Sequence, residues 1–499
     1  YDRYYPNGHL AGQVLGFVGV DGSGLEGVER EFEQRLAGRE ATFVVQRDAA
    51  GRRLYLDAEG REMDIHGHDV TLTIDAHLQD AAETALTRAV GEHNARAGSA
   101  VVVDVASGEV LALASYPLFN PNNYRRSKAA IRRHRAVIDA YEPGSTMKPL
   151  LFAAALEEGV LSPDTMIDCE QGRYKVADRW ITDHHPRGWL KANEVLRYSS
   201  NVGVAKVGQA LGAQNYHRYL TALGFGERPG LELPGEGKGL LRPASQWTSV
   251  DLATGSFGQG YAVTAAQLAK AYLCLANGGE LRPLTLVRDP APASRESRRV
   301  FSRETADEVL SMMLEVVEAD GTGSNVRIPG VPMAGKTGTA QKAEQGGYGD
   351  KHLASFVGLV PGDDPELLIL VMVDEPGPVF YGGQVAGPVV RELAVNALAY
   401  RGEMPTAMAM ARKQGEQAPP QQSPPGALTE QVRRTPPQSA SAHVPDLEGL
   451  PVRRAMEVLV GRGIVPVLKG RGMAVSRQEP AAGAPWPKGG DDVFVLWLS

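Results

Sequence analysis

Ser145 and Lys148 stand three residues apart, just after a Pro-Gly break and just ahead of an apolar run rich in Ala and Leu. On a helix that begins there, residues three apart share a face, so the lysine amine comes within reach of the serine hydroxyl. A serine hydroxyl is a weak nucleophile until a base removes its proton. A lysine acts as that base only when burial or a neighbouring cation keeps its amine neutral. By itself S-x-x-K is a weak signal, because a helix cap followed by a surface lysine has the same form. Two later segments strengthen it. Ser199-Ser200-Asn201 supplies a hydroxyl that both accepts and donates, fit to relay a proton from Lys148 to a leaving nitrogen. The Asn201 amide suits alignment of a substrate peptide bond. Lys336-Thr337-Gly338-Thr339 adds a cation that depresses the Lys148 pKa and attracts a carboxylate, and two hydroxyls to bind that carboxylate. Gly338 lets a substrate backbone come close. The chemistry these residues describe is acyl transfer through a serine ester, on a substrate whose C-terminal carboxylate lies next to the scissile amide.

Several elements must position these groups. The run 150–158 reads as a buried helix, and Pro149 falls within its first turn, where little internal hydrogen bonding is lost. A short helix over 192–196 leads into Ser199. A strand at 70–75 precedes a helix over about 76–94, with Leu78, Ala81, Ala82 and Leu86 on one stripe. Strands at 99–104 and 110–115 follow, joined at Ser107-Gly108 as a hairpin. Near the other end, strands at 354–360 and 367–373 flank the turn Pro361-Gly-Asp-Asp364, and 336–341 runs beside them. Strands from both ends with helices between them predict an α+β domain over 70–402, one antiparallel sheet covered by helices. The nucleophile helix then lies against the sheet and the Lys336 strand lines a cleft.

Residues 1–69 read as small β-rich elements with a short amphipathic helix over 24–36, and carry no evident chemistry. Residues 403–442 form a linker rich in Pro, Gln and Ser, too poor in large apolar residues to fold and spanning about 35 Å as a flexible chain. Order returns over 443–499. A helix opens at Pro451 with Val452, Ala455, Met456, Leu459 and Val460 on one face, and strands follow at 464–468, 474–478 and 492–498. Pro466 marks the first of these as a sheet edge.

A net charge of -7 over 499 residues argues against nucleic acid as a partner, since binding it takes a basic face. Arg125, Arg126, Lys128, Arg132, Arg133 and Arg135 cluster locally and read as a solvated face, with anionic substrate or lipid headgroups as the alternative. Cys169 and Cys274 lack metal or redox spacing. Asp183, His184 and His185 have no distant partner and read as a loop before Pro186 that lines the cleft, so no metal or other cofactor is expected. The longest apolar runs, 150–156 and 367–373, are too short to span a bilayer. Residue 1 is Tyr and the chain opens mid-pattern, as a fragment would.

S-x-x-K, S-x-N and K-T-G in this order are the signature set of penicillin-binding proteins and class A β-lactamases. Over nearly its whole length the chain resembles a class B penicillin-binding protein of the cell-division or sporulation transpeptidase type. The resemblance extends to Val70-Thr-Leu-Thr-Ile-Asp75, Tyr116-Pro117 with Asn120-Pro-Asn-Asn123, and Tyr141 to Lys148. It continues through Leu233-Pro-Gly-Glu236, Ser256-Phe-Gly-Gln-Gly260, Ala276-Asn-Gly-Gly279 and Ser355-Phe-Val-Gly358. His134 departs from it, standing where an asparagine is expected ahead of Arg135-Ala136.

The resemblance implies the penicillin-binding transpeptidase fold and a substrate ending in D-Ala-D-Ala, the peptidoglycan stem peptide, with β-lactams as covalent mimics. Release of D-Ala leaves an acyl-enzyme that an amine of a second stem resolves into a cross-link, and the N–H groups of Ser145 and Thr339 form the oxyanion hole. It implies that 1–69 is the end of an N-terminal pedestal and that 443–499 is a PASTA module, with Gln478-Glu-Pro480 and the turn region 483–490 among its marks. A transmembrane helix upstream would anchor the protein on the outer face of the cytoplasmic membrane. There it would meet lipid-linked precursor and division-complex membrane proteins, a glycosyltransferase among them. Two other outcomes share the chemistry. A β-lactam or muropeptide sensor needs a coupled signalling domain, and nothing in the chain resembles one. A serine β-lactamase needs a second base, for which Glu232 and Glu236 lie in the right interval. Both sit in a Gly/Pro turn without the Glu-x-x-Leu-Asn pattern, and the second motif is Ser-Ser-Asn rather than Ser-Asp-Asn.

Overall fold

The computed structural model describes residues 3–38, 67–288, 297–344 and 347–403, with short pieces of 45–55 and of 444–498. It divides into two units, Tyr1–Ala418 and Pro419–Ser499.

The larger unit is built on five antiparallel strands: β1 (Ala97–Asp104), β2 (Val110–Tyr116), β3 (Ala334–Glu344), β4 (Gly347–Val360) and β5 (Leu367–Asp374). Their order in the sheet is β3-β4-β5-β1-β2. Hairpins make the β1–β2, β3–β4 and β4–β5 pairs, whereas β5 meets β1 across the sequence, Leu367 opposite Asp104 and Asp374 opposite Ala97. This last pairing joins the two ends of the domain and leaves β3 as a free edge.

Period-two alternation sorts the strand side chains onto two faces. Val101, Val103, Leu113, Val357, Leu359, Leu368 and Leu370 pack in the core that also holds α2 (Lys148–Glu157), α5 (Ala265–Ala276) and α6 (Arg303–Val317). Ala100, Val102, Ala112, Phe356, Ile369 and Val371 pack with α1 (Ala76–Glu92) and α7 (Gly387–Arg401) on the other side. Helix α2 is apolar all round and is buried from Lys148 to Ala155, as a helix in the middle of a core must be. Two further helices matter to the site, α3 (Ala192–Arg197) and α4 (Asn201–Leu211).

Two expectations fail locally. The segment 70–75 forms no strand, only an isolated bridge between Leu72 and Val287. Its backbone bonds divide between separate segments, Thr73 N to the Leu286 carbonyl and Asp75 N to that of Leu111 on β2, so no ladder propagates. Asp75 instead caps α1, accepting from the N–H groups of His77 and Leu78. Over 24–36, Gly24–Glu26 is a strand paired with Phe17–Val18, and the helix is two pieces, Gly27–Glu31 and Glu33–Leu36, broken at Phe32. Gly27 has φ +62, and a Cβ there would lie 2.5 Å from Gly16 N and from the Val14 carbonyl oxygen, which fixes the start of the turn.

The smaller unit has a three-stranded sheet, β6 (Val467–Gly470), β8 (Val495–Leu498) and β7 (Val475–Glu479) in that order, with β6 parallel to β8. The strand after Pro466 is an edge, as its proline requires. Ala455 and Leu459 are helical and buried with Val444, Leu447, Val475, Phe494 and Leu496. The rest of the expected helix, and the linker but for Glu403, lie outside the described residues. Among those described, no helix is long and apolar enough to cross a membrane.

Candidate active site

Ser145 sits on a 3-10 turn, Gly144–Met147, that runs directly into α2. The turn is held from behind. Gly144 takes φ +59, donates its N–H to the Gly258 carbonyl at 3.0 Å, and would place a Cβ 3.2 Å from Ala340 on β3. A Cβ on Gly258 would fall 2.2 Å from the Gly144 carbonyl oxygen, so the Ser256-Phe-Gly-Gln-Gly260 segment seats the nucleophile turn by close backbone contact. Tyr272 of α5 donates to the Thr146 carbonyl at 2.6 Å. Ser145 remains half-buried while Thr146, Met147 and Lys148 are buried.

Lys148 is fully buried. Its Nζ donates to the Ser199 carbonyl (2.7 Å), to Ser199 Oγ (3.2 Å) and to Asn201 Oδ1 (2.8 Å). Lys336, equally buried, reaches the same Ser199 Oγ at 3.0 Å, together with the Thr337 carbonyl at 3.0 Å. Two amines therefore share one serine hydroxyl, and among the described residues neither meets a carboxylate at ion-pair distance. Burial pushes Lys148 down to about 7, against the opposing charges of Asp183 and Cys169. Burial first, and the Lys148 charge second, hold Lys336 well below the usual lysine range. The sequence predicts that Lys336 depresses Lys148; burial is the cause of that shift, and the charge effect between the two amines falls on Lys336. All three Lys148 acceptors come from the Ser199–Asn201 turn rather than from Ser145. Losing one proton keeps two of those bonds and frees the lone pair that a base needs.

The backbone between α3 and α4 makes this geometry. Ser199 has φ +57, a left-handed conformation for a non-glycine residue, and it turns both the carbonyl and the hydroxyl of Ser199 toward Lys148.

Strand β3 supplies the other wall. The Thr337 carbonyl accepts from Lys336 Nζ and so points off the free edge, and two residues on, the period of the strand presents the Thr339 N–H to the same side. Thr339 Oγ1 accepts from Gly382 N at 3.0 Å, and Thr337 Oγ1 donates to Thr322 Oγ1 at 3.2 Å. Gly338 is required for a reason other than substrate approach. A Cβ there would lie 2.3 Å from Ser355 Oγ and 2.8 Å from Thr146 Cγ2, so its bare side faces the nucleophile turn. Rings gather at the rim: His352 stacks on Phe380 (4.0 Å between centroids), Phe380 lies 4.8 Å from Tyr381, and His184 meets Tyr381 edge-on at 6.3 Å. A cavity of about 710 Å³, lined by Tyr141, Glu142, Gly260, Ala340 and Lys342, lies beside the Gly144–Ala340 contact and does not include Ser145.

The sequence places Asp183 in a loop before Pro186, with lining of the cleft as its only role. Its carboxylate accepts from Ser200 Oγ (2.6 Å) and from the N–H groups of Asn201 (2.5 Å) and Val202 (3.0 Å). Nothing in the residue pattern pairs an aspartate with a serine 17 positions on. Among the described residues, no group of three or more His, Cys, Asp or Glu is placed to hold a metal ion.

The chain matches the family described as "Penicillin binding protein transpeptidase domain" over residues 98–394. It is 37% identical over 407 residues to the probable peptidoglycan D,D-transpeptidase PenA of Neisseria gonorrhoeae, covering 81% of this chain and 69% of that one. It is 32% identical over 506 residues to stage V sporulation protein D of Bacillus subtilis, covering 98% of this chain and 74% of the relative. Among solved structures it is similar to penicillin-binding protein 3 of Mycobacterium tuberculosis complexed with aztreonam, with a TM-score of 0.72, 31% identity, and coverage of 80% of this chain and 90% of that one. With its serine, two buried lysines and free-edge strand inside the matched segment, the chain belongs to the penicillin-binding protein transpeptidase family.

Proposed function

We propose that this protein is a serine-type peptidoglycan D,D-transpeptidase in which Ser145 is the acylated residue. Neutral Lys148 takes the Ser145 proton as Oγ attacks the carbonyl of the penultimate D-Ala, and the N–H groups of Ser145 and Thr339 receive the oxyanion. The proton passes through Ser199 to the leaving nitrogen, the C–N bond breaks, and D-Ala departs, leaving an ester. An amine of a second stem attacks that ester, gives its proton back along the same relay, and the amide forms as Ser145 regains its hydrogen. Asn201 aligns the donor backbone. Lys336, Thr337 and Thr339 bind the terminal carboxylate. A β-lactam enters the same path, but its leaving nitrogen stays tethered to the acyl group. The relative solved with aztreonam supports this.

The observation that carries the reading is the pair of fully buried lysines converging on Ser199 Oγ with, among the described residues, no carboxylate at ion-pair distance. Two such cations are costly unless one is used as a neutral base. Incubation with a penicillin should add one adduct on the peptide containing Ser145, read by intact mass and peptide mapping. An unchanged adduct in Ser145→Ala would sink the mechanism. The β-lactamase alternative is disfavoured by Glu236, whose two oxygens accept from Gly230 N (2.7 Å) and Leu233 N (3.1 Å) and so hold their own turn. A chromogenic cephalosporin should give one burst per site, and sustained turnover would reverse the assignment.

We place this activity in septal wall synthesis, at division or in sporulation; one relative is named a peptidoglycan D,D-transpeptidase and another a stage V sporulation protein. In this reading residues 1–69 end a pedestal, 70–402 are the transpeptidase domain, 403–442 are the linker and 443–499 are a PASTA module. The chain works outside the cytoplasmic membrane on lipid-linked precursor beside a glycosyltransferase and other division proteins.

A further inference from the structure

Asp183 lies outside the three motifs, on the residue after the hairpin strand Arg179–Thr182. With it, the hairpin takes hold of the second motif at several points. Asp183 Oδ1 receives the Asn201 and Val202 N–H groups, two of the donors that a helix start leaves without internal partners. Asp183 Oδ2 receives the Ser200 hydroxyl, which itself accepts from Gly203 N at 2.9 Å as the cap of α4. The carbonyl of Thr182 takes Asn201 Nδ2 at 3.0 Å, which leaves Asn201 Oδ1 for the Lys148 amine. Immediately before this clamp comes Ser199, in a left-handed conformation that persists only where its surroundings over-determine it.

We propose that Asp183 is a positioning residue for acyl transfer: by holding residues 200–202 it fixes the Ser199 turn, and with it the three acceptors that surround the Lys148 amine. The inference rests on the transpeptidase reading above. Asp183 also acts through its charge. Of the groups that face Lys148, Lys336 and His184 oppose its ammonium form, whereas Asp183 and Cys169 favour it. Burial raises the Cys169 thiol, so Asp183 is the standing negative charge.

Clamp and charge separate in two variants. Asp183→Asn keeps an oxygen for the two backbone N–H groups and can donate to Ser200 Oγ, but it carries no charge. Asp183→Ala removes both. Acylation by a fluorescent penicillin, followed against pH with thermal unfolding alongside, should be about a hundredfold slower in Asp183→Ala, the scale of loss that a small misplacement of reacting groups produces. Asp183→Asn should lose less, and the acid limb of its pH profile should lie at lower pH than in the parent, because a lysine relieved of a carboxylate stays neutral further into acid. A merely structural aspartate would slow the reaction without moving that limb. Parent-like acylation by folded Asp183→Ala, or an unmoved limb in Asp183→Asn, overturns the proposal; if the alanine variant does not fold, the limb alone decides. A persistent adduct in Ser145→Ala would instead break the transpeptidase reading itself.

Discussion

Lys336 and Lys342 stand six residues apart on strand β3, and their surroundings could hardly differ more. Lys336 is fully buried, donates only to neutral oxygens, and is held well below the lysine range by burial and by the Lys148 charge. Lys342 is partly exposed and donates to Asp374 and Glu375 at 2.7 Å each. Against the effect of its partial burial, those two carboxylates raise its pKa. Glu375 is held in turn at about 2, despite burial, by Lys342 and Arg96. The far end of the strand is thus tied to the end of β5 by compensated charge. The near end leaves charge uncompensated, which favours reactivity over stability.

The contrast is broken most severely at Lys148. Lys148→Ala should lower acylation by about 10⁴-fold or more in a folded protein, the scale of losing an essential base; near-parent rates with a penicillin reporter would show that another group takes the proton. The same amine should tax the fold. Its folded pKa of about 7 lies below the unfolded value of 10.5, so between those values the unfolded chain binds a proton that the folded chain does not. Its contribution to stability therefore rises with pH across that window and is least favourable below 7. Lys148→Met should be more stable than the parent by on the order of 3 kcal/mol at pH 6, with the gap closing toward pH 10, measured by urea unfolding.

Lys336→Ala sharpens the contrast from the other side. Acylation should fall about a hundredfold as carboxylate binding weakens, and the acid limb should move to higher pH because Lys148 loses a repelling neighbour. That shift is opposite in sign to the one expected of Asp183→Asn, so the two profiles together test which charges the base feels. The smallest effect belongs to Lys342→Met. It should cost about 1 kcal/mol, less at high salt, with penicillin acylation within about twofold of the parent. A large loss of acylation there would mean that the two ends of β3 are not separate.

Much of this was legible from the chain, and the misses have physical causes. Strand runs such as 99–104 and 367–373 show as continuous apolar stretches because both faces of the sheet are covered by helices. The hairpins follow from their turns, but the pairing of β5 with β1 has no local signal. Ser145, Lys148, Ser199, Asn201 and Lys336 could be named from residue type and order, and the last four share one hydrogen-bonded cluster. The left-handed turn at Ser199, the clamp by Asp183 and the contact behind Gly338 depend on backbone torsion and on elements distant in sequence. His134 shows the same limit. It departs from the expected asparagine, yet it is buried, near the Leu113 carbonyl and Ser115 Oγ, and burial lowers its pKa to about 4.

At position 199 two demands select for different residues. The backbone, at φ +57, favours glycine or asparagine; the relay requires a hydroxyl. Threonine would keep the hydroxyl, but its β-branch is disfavoured at positive φ. Glycine and asparagine would suit the turn and lose the proton path. Serine keeps the hydroxyl without a β-branch, so sequence drift at this codon has little room. Because drug and stem peptide would use the same hydroxyl, variants that discriminate between them have to arise elsewhere. The rings of His352, Phe380 and Tyr381 at the rim carry no such double constraint, and selection by a β-lactam should register there first.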